Sequence, residues 1–330
     1  MQFKSYIRHL QVCILTLTGA GGLTLCSIAA HAADFPARAV RFIVPFPPGS
    51  ATDTAARYFG AKFTNITGQP AIIENKAGGN GFIAVQNVLS AAPDGYTVFI
   101  GSNSTLAVNV AVFRQLPYNP QTDFIPLSVM TRAPIVLSVP ANSPYKTVAD
   151  LVKAAKANPG KLNYGSGSAG YQLAAELFNV SAGVAIQNVP YKGASEALAN
   201  VAGSTVDMTT ADITATQALA KGGKIRALVV ASEKRSPALP DVPSAKEAGI
   251  PDFQASIWVA AMVAVKTPKL QADKLAEIFT QIERMPETRG FLEKQGAEVM
   301  SGGPIELRNF QAKEIDLWKE IVKKAHVELQ

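Results

Sequence analysis

The sequence predicts an α/β fold in which two lobes enclose a ligand cleft. Short apolar runs alternate with amphipathic stretches along the chain, which is typical of parallel strands covered by helices. The pattern extends over roughly 300 residues. A single hydrophobic core usually supports fewer residues than that, so two lobes are expected. Glycine- and hydroxyl-rich turns stand between the strands and the helices, where open α/β sheets bind their ligands.

The alternation sets the expected order of elements. Strands are predicted at residues 40–44, 71–74, 97–100, 135–139, 162–164, 187–189 and 224–231. Helices are predicted at residues 52–67, 81–91, 148–157, 172–180 and 195–201. The stretch 267–330 reads as mostly helical, with apolar side chains available to cover the first sheet.

Two extended segments are expected to connect the lobes, one near 132–134 and one near 255–258. Two crossings place both ends of the chain in the same lobe. We therefore expect a discontinuous lobe 1 at residues 33–133 plus 257–330. Lobe 2 is expected to span residues 134–256.

The amino-terminal segment predicts export. Lys4 and Arg8 precede an apolar stretch that ends in small residues at Ala32, which is typical of a secretory signal peptide over residues 1–32. Cleavage after Ala32 would deliver the protein to the periplasm. A membrane anchor is the alternative, although glycines weaken the apolar run. A lipoprotein attached through Cys26 is disfavoured because Leu25 stands where a small residue is needed.

Cleavage would remove both cysteines and two of the three histidines, leaving only His326. We expect a solvated surface position for His326. Histidine-based triads and zinc sites of cysteine and histidine are thereby disfavoured, so we predict no metal and no cofactor. The 31 basic and 25 acidic residues form no basic stripe interleaved with aromatics, which makes nucleic acid an improbable partner.

Four strand-to-helix loops carry the strongest signal of function. They lie at residues 45–53, 75–81, 164–170 and 190–195. Unpaired N–H groups and the dipole at a helix start favour an anion. Any one such loop could instead be an ordinary glycine turn.

Five motifs along the chain, in order and at matching spacing, resemble the Bordetella uptake gene (Bug) receptor family, the TctC-like extracytoplasmic solute receptors of tripartite tricarboxylate transporters. The motifs are Pro-Gly-Ser-Ala-Thr-Asp-Thr-Ala-Ala-Arg at 48–57, Glu-Asn-Lys-Ala-Gly-Gly-Asn-Gly at 74–81, Asp-Gly-Tyr-Thr at 94–97, Val-Pro-Tyr-Lys-Gly at 189–193 and a longer segment at 226–249. The likeness runs from about residue 35 to residue 326.

The resemblance implies a type II periplasmic binding protein fold and a receptor without enzymatic activity. Such a receptor is a monomer that closes over a small carboxylated solute and delivers it to membrane permease subunits. A dicarboxylate and an aromatic carboxylate are the candidate solutes. By motif position, the expected ligand-binding residues of lobe 1 are Pro48, Gly49, Ser50, Ala51, Thr52 and Asp53. Those of lobe 2 are Ser166, Gly167, Ser168, Ala169, Tyr171, Lys192, Gly193, Ala194 and Asp212.

The sequence departs from the family pattern in the cleft. Ser50 stands where glycine is usual, and Tyr171-Gln172 precedes Leu173 where the family commonly has a His-Leu pair. The ligand of a relative therefore does not transfer by name. Tyr171 could stack on a flat ligand or pack at the start of a helix.

Two other functions are compatible with the sequence. A sensor that feeds a two-component signalling system would have the same fold and cleft. An exported enzyme would need a carboxylate pair, for which Asp53, Asp207, Asp212 and Asp241 are available.

Overall fold

The computed structural model describes residues 35–325 and 327–330. The predicted signal peptide and His326 lie outside the described residues. Within the described part of the chain, no helix combines the length and apolar character needed to cross a membrane.

Strands and helices alternate through most of the described chain. The strands are β1 (Val40–Val44), β2 (Ala71–Asn75), β3 (Thr97–Ser102), β4 (Phe124–Pro140), β5 (Asn163–Ser166), β6 (Gln187–Pro190), β7 (Met208–Asp212), β8 (Ile225–Val230), β9 (Ser256–Ala264) and β10 (Glu298–Val299). The α-helices are α1 (Ala51–Thr67), α2 (Phe82–Leu89), α3 (Asn109–Val112), α4 (Val148–Ala157), α5 (Ala169–Ala182), α6 (Ala194–Ala202), α7 (Ile213–Lys221), α8 (Lys269–Arg284), α9 (Pro286–Lys294) and α10 (Pro304–Lys324). A 3₁₀ turn at Gly79–Gly81 precedes α2, and a π-helical turn at Ser104–Val108 precedes α3.

The strands pair in the order β2-β1-β3-β9-β4-β7-β5-β6, with β10 and β8 also paired to β4. Strand β1 is parallel to β2 and β3, and β5 is parallel to β6 and β7. Strand β9 runs antiparallel to both β3 and β4. Parallel strands joined through helices confirm the predicted α/β class.

Strand β4 belongs to two sheets. Its first half pairs with β9 and β10 and completes the first sheet, and its second half pairs with β7 and β8 in the second sheet. At the junction, Ala133 pairs with Ile257 and Pro134 with Ser256. The segments expected to connect the lobes therefore lie side by side. The residue at which one lobe ends and the other begins stays a prediction.

The start of β4 was missed from the sequence because Pro126 and Pro134 interrupt the apolar run, and a proline argues against a central strand. The pairing of β4 with β9 shifts register between Pro126 and Ser128 and between Val129 and Thr131, whereas Pro134 pairs in register with Ser256. The strand is consequently 17 residues long and begins 11 residues before the predicted one.

The apolar pattern does not predict strand β7, because its sequence, Met-Thr-Thr-Ala-Asp, lacks an apolar run. All five residues are nevertheless buried. The hydroxyl of Thr209 donates to the carbonyl of Gly165 at 2.7 Å, and that of Thr210 donates to the carbonyl of Tyr171 at 2.7 Å. Since both hydroxyls are satisfied, burying them carries little cost.

The carboxy-terminal helices cover the first sheet, as predicted. Phe279 of α8 stacks on Phe42 of β1 with ring centroids 5.6 Å apart, and on Phe59 of α1 at 6.1 Å. Aromatic pairs of this geometry add about 0.5–1.5 kcal/mol each beyond their burial. These contacts hold α1, and hence the loop that precedes it, against the sheet.

A buried carboxyl group lies on the same helix. Glu283 is 4 % exposed, and its side chain is hydrogen bonded to the hydroxyl of Ser128 on β4. That hydroxyl also donates to the carbonyl of Gly302 at 2.9 Å. A serine hydroxyl has a single hydrogen to donate, and here the carbonyl of Gly302 accepts it. A protonated Glu283 can donate to the Ser128 oxygen, so that the carboxyl, the hydroxyl and the carbonyl are all hydrogen bonded. Burial raises the pKa of Glu283 to about 8.

Glu283→Gln should therefore remove a pH dependence of stability. The folded protein keeps the proton up to a pKa of about 8, against 4.5 in an ordinary glutamate. The stability held by neutral Glu283 is thus fully present below pH 4.5 and is lost as the pH rises through 8. We expect urea unfolding to show that, from pH 5 to pH 9, the free energy of unfolding of the variant rises by about 3–5 kcal/mol relative to that of the wild type. A difference that is the same at both pH values would contradict this assignment.

Candidate ligand-binding cleft

The loop after β1 is fixed by the first turn of α1. The Ser50 hydroxyl accepts a hydrogen bond from the Asp53 amide at 3.2 Å and caps the helix. Gly49 has a φ of +82°, in the left-handed region that favours glycine. Its backbone amide donates to the Asp53 carboxylate at 3.0 Å. The loop is therefore held by its own helix.

Asp53 braces this loop from inside. It is 3 % exposed, and it accepts from Gly49, from Arg57 at 2.9 Å and from the side-chain amide of Asn75 at 2.9 Å. Burial alone would raise the pKa of Asp53, but the hydrogen bonds from Arg57, Gly49 and Asn75 outweigh it and hold the pKa below its ordinary value. Asn75 also donates to the carbonyl of Phe46 at 2.9 Å, which ties the second loop to the first. Asp53 thus positions the loop from within lobe 1.

The two loops of the second lobe pack against each other. A side-chain carbon on Gly167 would lie 2.2 Å from the carbonyl carbon of Gly193, so only glycine fits there. The amide of Tyr191 donates to the carbonyl of Ser166 at 2.7 Å, and the Ser166 hydroxyl donates to Asn188 at 2.7 Å. Residues 166–169 and 192–194, which the motifs placed in the site, are thereby brought together.

Helices α5 and α6 begin at these loops. Their N-cap residues, Ser168 and Gly193, have extended backbones and make no side-chain capping hydrogen bond within the described structure. Glu196, in the first turn of α6, accepts from the backbone amide of Lys192 at 3.0 Å. Helix starts with few capping partners leave N–H donors for an anion.

Tyr171 and Asp212 form a buried pair. The Tyr171 hydroxyl donates to the Asp212 carboxylate at 2.7 Å, and the other carboxylate oxygen accepts from the amide of Ala215 at 2.9 Å and caps α7. Burial raises the pKa of both side chains. The Tyr171 ring is 6 % exposed. This environment matches the interpretation in which Tyr171 packs at the start of its helix.

The two lobes touch across the cleft. Gly193 faces Pro47, whose Cδ would lie 2.6 Å from a side-chain carbon at position 193. The hydroxyls of Ser104, after β3, and Ser168 are 3.0 Å apart, and the amide of Gly170 donates to Ser104 at 3.2 Å. The cleft is closed at these points.

A cavity of about 320 Å³ remains between the loops. It is lined by Phe46, Gly78, Gly79, Asn80, Gly81, Gly167, Pro190, Tyr191, Lys192 and Glu196. Gly167 and Lys192 belong to the expected site, whereas Pro48, Thr52 and Ala194 are not among its lining residues. Residues 78–81 belong to the second of the four strand-to-helix loops, none of whose residues is among the expected ligand-binding residues. Phe46, Tyr191 and Glu196 were missed, although each adjoins a glycine motif.

None of the other expected residues is among those that line this cavity. Gly49 faces Ser195 across the cleft: a side-chain carbon built on Gly49 would lie 3.5 Å from the Ser195 hydroxyl oxygen. Ala51 lines a smaller cavity beside the junction of β4 and β9, with Thr131 and Thr214. Ala169 is buried in the first turn of α5.

The cavity offers donors and one cation. Lys192 is exposed and forms no ion pair with another described residue. Glu196 beside it keeps the net charge of the lining near neutral. In the described part of the chain, no three histidine, cysteine, aspartate or glutamate side chains gather as a metal site. The arrangement can hold a small anion through N–H groups and one ammonium.

Comparison with known proteins agrees with this geometry. The family model described as "Tripartite tricarboxylate transporter family receptor" matches residues 55–327. Protein BugT of Bordetella pertussis is 33 % identical over 300 residues, covering 90 % of this chain and 92 % of BugT.

Two solved structures from R. palustris are similar over nearly their whole length. One, described with adipate, has a TM-score of 0.86 and 34 % identity, and the match covers 89 % of this chain and 99 % of that one. MatC with bound malate has a TM-score of 0.82 and 32 % identity, and the match covers 87 % and 100 %. These matches confirm the expected periplasmic binding protein fold with two lobes and a cleft.

Asp53→Ala should loosen the first loop. The Gly49 and Asn75 amides would lose their acceptor, and Arg57 would lose its partner, so we expect the free energy of unfolding to fall by about 1–3 kcal/mol. Asp273→Ala, which breaks the exposed pair with Lys269, is the control and should cost less than about 0.5 kcal/mol. Urea unfolding of both variants measures these losses of unfolding free energy. Equal losses in the two variants would mean that Asp53 does not stabilise the first loop.

Proposed function

The chain belongs to the tripartite tricarboxylate transporter receptor family, and we propose from that premise that it captures a small carboxylate between its lobes in the periplasm and delivers it to membrane permease subunits. The observation that carries this proposal is the convergence of glycine loops and helix starts from both lobes on one cavity. Backbone N–H groups in such positions favour an anionic group.

The size of the cavity bears on the ligand class. A volume of about 320 Å³ lies at the lower end of ordinary small-molecule pockets. Relatives of known structure are described with adipate and with malate, both short dicarboxylates. Phe46 and Tyr191 in the lining supply aromatic surface. We propose a dicarboxylate as the ligand, with an aromatic carboxylate as the alternative.

The surroundings of two buried carboxylates support binding without catalysis. An enzyme of the carboxylate-pair type would need two acidic side chains facing a substrate. Asp53 is engaged by Gly49, Arg57 and Asn75, and Asp212 by Tyr171 and Ala215. Both serve the packing of their loops, which supports a receptor rather than an enzyme.

Lobe closure is the proposed mechanism. A ligand that contacts Gly78–Gly81 in one lobe and Lys192 in the other interacts fully only when the lobes are together. Such a ligand shifts the population from open to closed forms by its differential affinity. The closed form would then present the surface that the permease recognises.

A thermal-shift panel of mono- and dicarboxylates, aliphatic and aromatic, tests the proposal. A true ligand at a hundred times its dissociation constant should stabilise the protein by about 2.7 kcal/mol and raise the melting temperature by several degrees. Adipamide, the neutral counterpart of adipate, is the matched control for charge. The proposal is wrong if no carboxylate in the panel shifts the melting temperature.

Lys192→Ala should weaken binding of whichever carboxylate the panel identifies by about 3- to 10-fold, since one exposed cation contributes about 1 kcal/mol. Lys274→Ala, on α8 and paired with Glu277, removes the same charge away from the cavity. Titration calorimetry on both variants separates the local effect from net charge. Equal affinities in the two variants would remove Lys192 from the site.

A further inference from the structure

The cavity wall formed by residues 78–81 of lobe 1 has an uncommon backbone conformation. These four residues have φ angles of +121°, +53°, +50° and +89°, all in the region that favours glycine. Asn80 is the one residue among them with a side-chain carbon. Asparagine enters this region more easily than most residues, but such a conformation persists only where its surroundings hold it. The contacts that hold residues 78–81 therefore determine the shape of this side of the cavity.

One support of the loop is the π-helical turn Ser104–Val108. A side-chain carbon built on Gly81 would lie 2.3 Å from Cγ2 of Thr105, so the backbone of the loop lies directly on that side chain. Thr105 is itself fixed, because its hydroxyl donates to the carbonyl of Ser102 at 3.1 Å. The loop thus packs on a rigid surface of its own lobe.

The second support is Asn109, the first residue of α3, which is fully buried. Its side-chain Nδ2 donates to the carbonyl of Asn80 at 3.0 Å and to the hydroxyl oxygen of Tyr118 at 3.1 Å. The Tyr118 hydroxyl donates in turn to the carbonyl of Thr105 at 2.6 Å. Burial raises the pKa of Tyr118, so this hydroxyl keeps its hydrogen. One chain of hydrogen bonds therefore joins the loop to the π-helical turn.

The orientation of the Asn109 side chain has a cost. Its oxygen is buried and has no hydrogen-bond partner among the described residues. Exchanging the oxygen and the nitrogen would place the oxygen against the Asn80 carbonyl and the Tyr118 oxygen, both of which are acceptors here. The amide thus keeps its nitrogen towards the loop and leaves its oxygen unpaired. A buried unpaired group calls for an explanation, and the support of the loop supplies one.

The loop held in this way brings free donors to the cavity. The amide of Gly81 donates to the carbonyl of Gly78 at 3.0 Å and closes the turn. The amides of Gly78, Gly79 and Asn80 donate to no backbone carbonyl of the described chain. The same residues share the cavity lining with Lys192 of lobe 2. An anion gains most from such donors when they are already in place before it binds.

We propose that Asn109 is a positioning residue for ligand binding, which holds residues 78–81 in the conformation that forms the lobe 1 wall of the cavity. Asn109 is not among the lining residues, so it acts through the loop and not by touching the ligand. The proposal rests on the proposed function and adds that this wall is formed before the ligand arrives.

Hydrogen–deuterium exchange of the ligand-free protein measures whether Asn109 holds the loop. In Asn109→Ala the Asn80 carbonyl loses its donor. We therefore expect the amides of Gly81 and Phe82, which close the turn, to exchange at least about 10-fold faster than in the wild type.

Asn179→Ala is the matched control. Asn179 is also buried, and its Nδ2 also donates to a backbone carbonyl, that of Ile186 at 3.0 Å. Neither of these residues lines the cavity. The control should lose stability as Asn109→Ala does and leave the exchange of Gly81 and Phe82 unchanged.

Titration calorimetry with adipate, malate and phthalate measures the effect on binding. Asn109→Ala should weaken binding of each probe that the wild type binds by at least about 10-fold, because the donors of the loop must then be ordered when the ligand binds. Asn179→Ala should bind within about 2-fold of the wild type, since a distant, independent site adds little. A role in stability alone would change the affinity of both variants alike.

Tyr118→Phe keeps the ring and removes only the hydroxyl that accepts from Asn109 and donates to Thr105. It should change the exchange and the affinity in the same direction, by about 3-fold or more. This variant decides the proposal if Asn109→Ala does not fold.

Two results would overturn the proposal and leave the receptor function standing. One is a wild type that binds a probe which Asn109→Ala binds within about 2-fold as tightly. The other is exchange of Gly81 and Phe82 at the wild-type rate in Asn109→Ala. A wild type that binds none of the three probes also counts against the proposal, and the thermal-shift panel then shows whether the receptor function fails with it.

Discussion

The antiparallel pairing of β4 with β9 is the constraint on which the arrangement of the cleft depends. Both strands leave the first sheet side by side, and the amide of Ile135 donates to the carbonyl of Ala255 at 3.0 Å just beyond the junction. Because β4 continues as a strand of the second sheet, the two sheets share one hydrogen-bonded backbone. The carboxyl ends of β1, β3 and β5, and the loops that follow them, then face one another.

The chemistry of the cleft comes from backbone more than from side chains. Gly167 and Gly193 allow two loops of the second lobe to pack backbone to backbone, and Gly193 also meets Pro47 of the first. The Asp53 carboxylate holds the first loop through the Gly49 amide. The Asp212 carboxylate caps α7 and accepts a hydrogen bond from Tyr171. What remains for a ligand is a set of N–H donors, Lys192 and a few polar side chains. Such a set of groups suits the proposed carboxylate ligand.

The sequence predicts elements well where periodicity is strong and poorly where burial is achieved by hydroxyls. Strand β1 and helix α4 match their predicted bounds, because each carries a clear apolar pattern. The apolar pattern does not predict strand β7, since its buried threonines depend on hydrogen bonds to Gly165 and Tyr171, which are distant in sequence. The glycine loops of the site were predictable from local composition. The part played by Phe46, Tyr191 and Glu196 was not, because only the fold shows that they line the same cavity.

Small-angle scattering of the wild type, without ligand and then saturated with the carboxylate that raises its melting temperature most, tests the central claim most directly. The claim is that one solute is held by both lobes, so that binding shifts the population towards the closed form. The account predicts a smaller radius of gyration on saturation, approaching the value calculated for the closed structure. An unchanged radius of gyration, with the unliganded protein more extended than that structure, would contradict it.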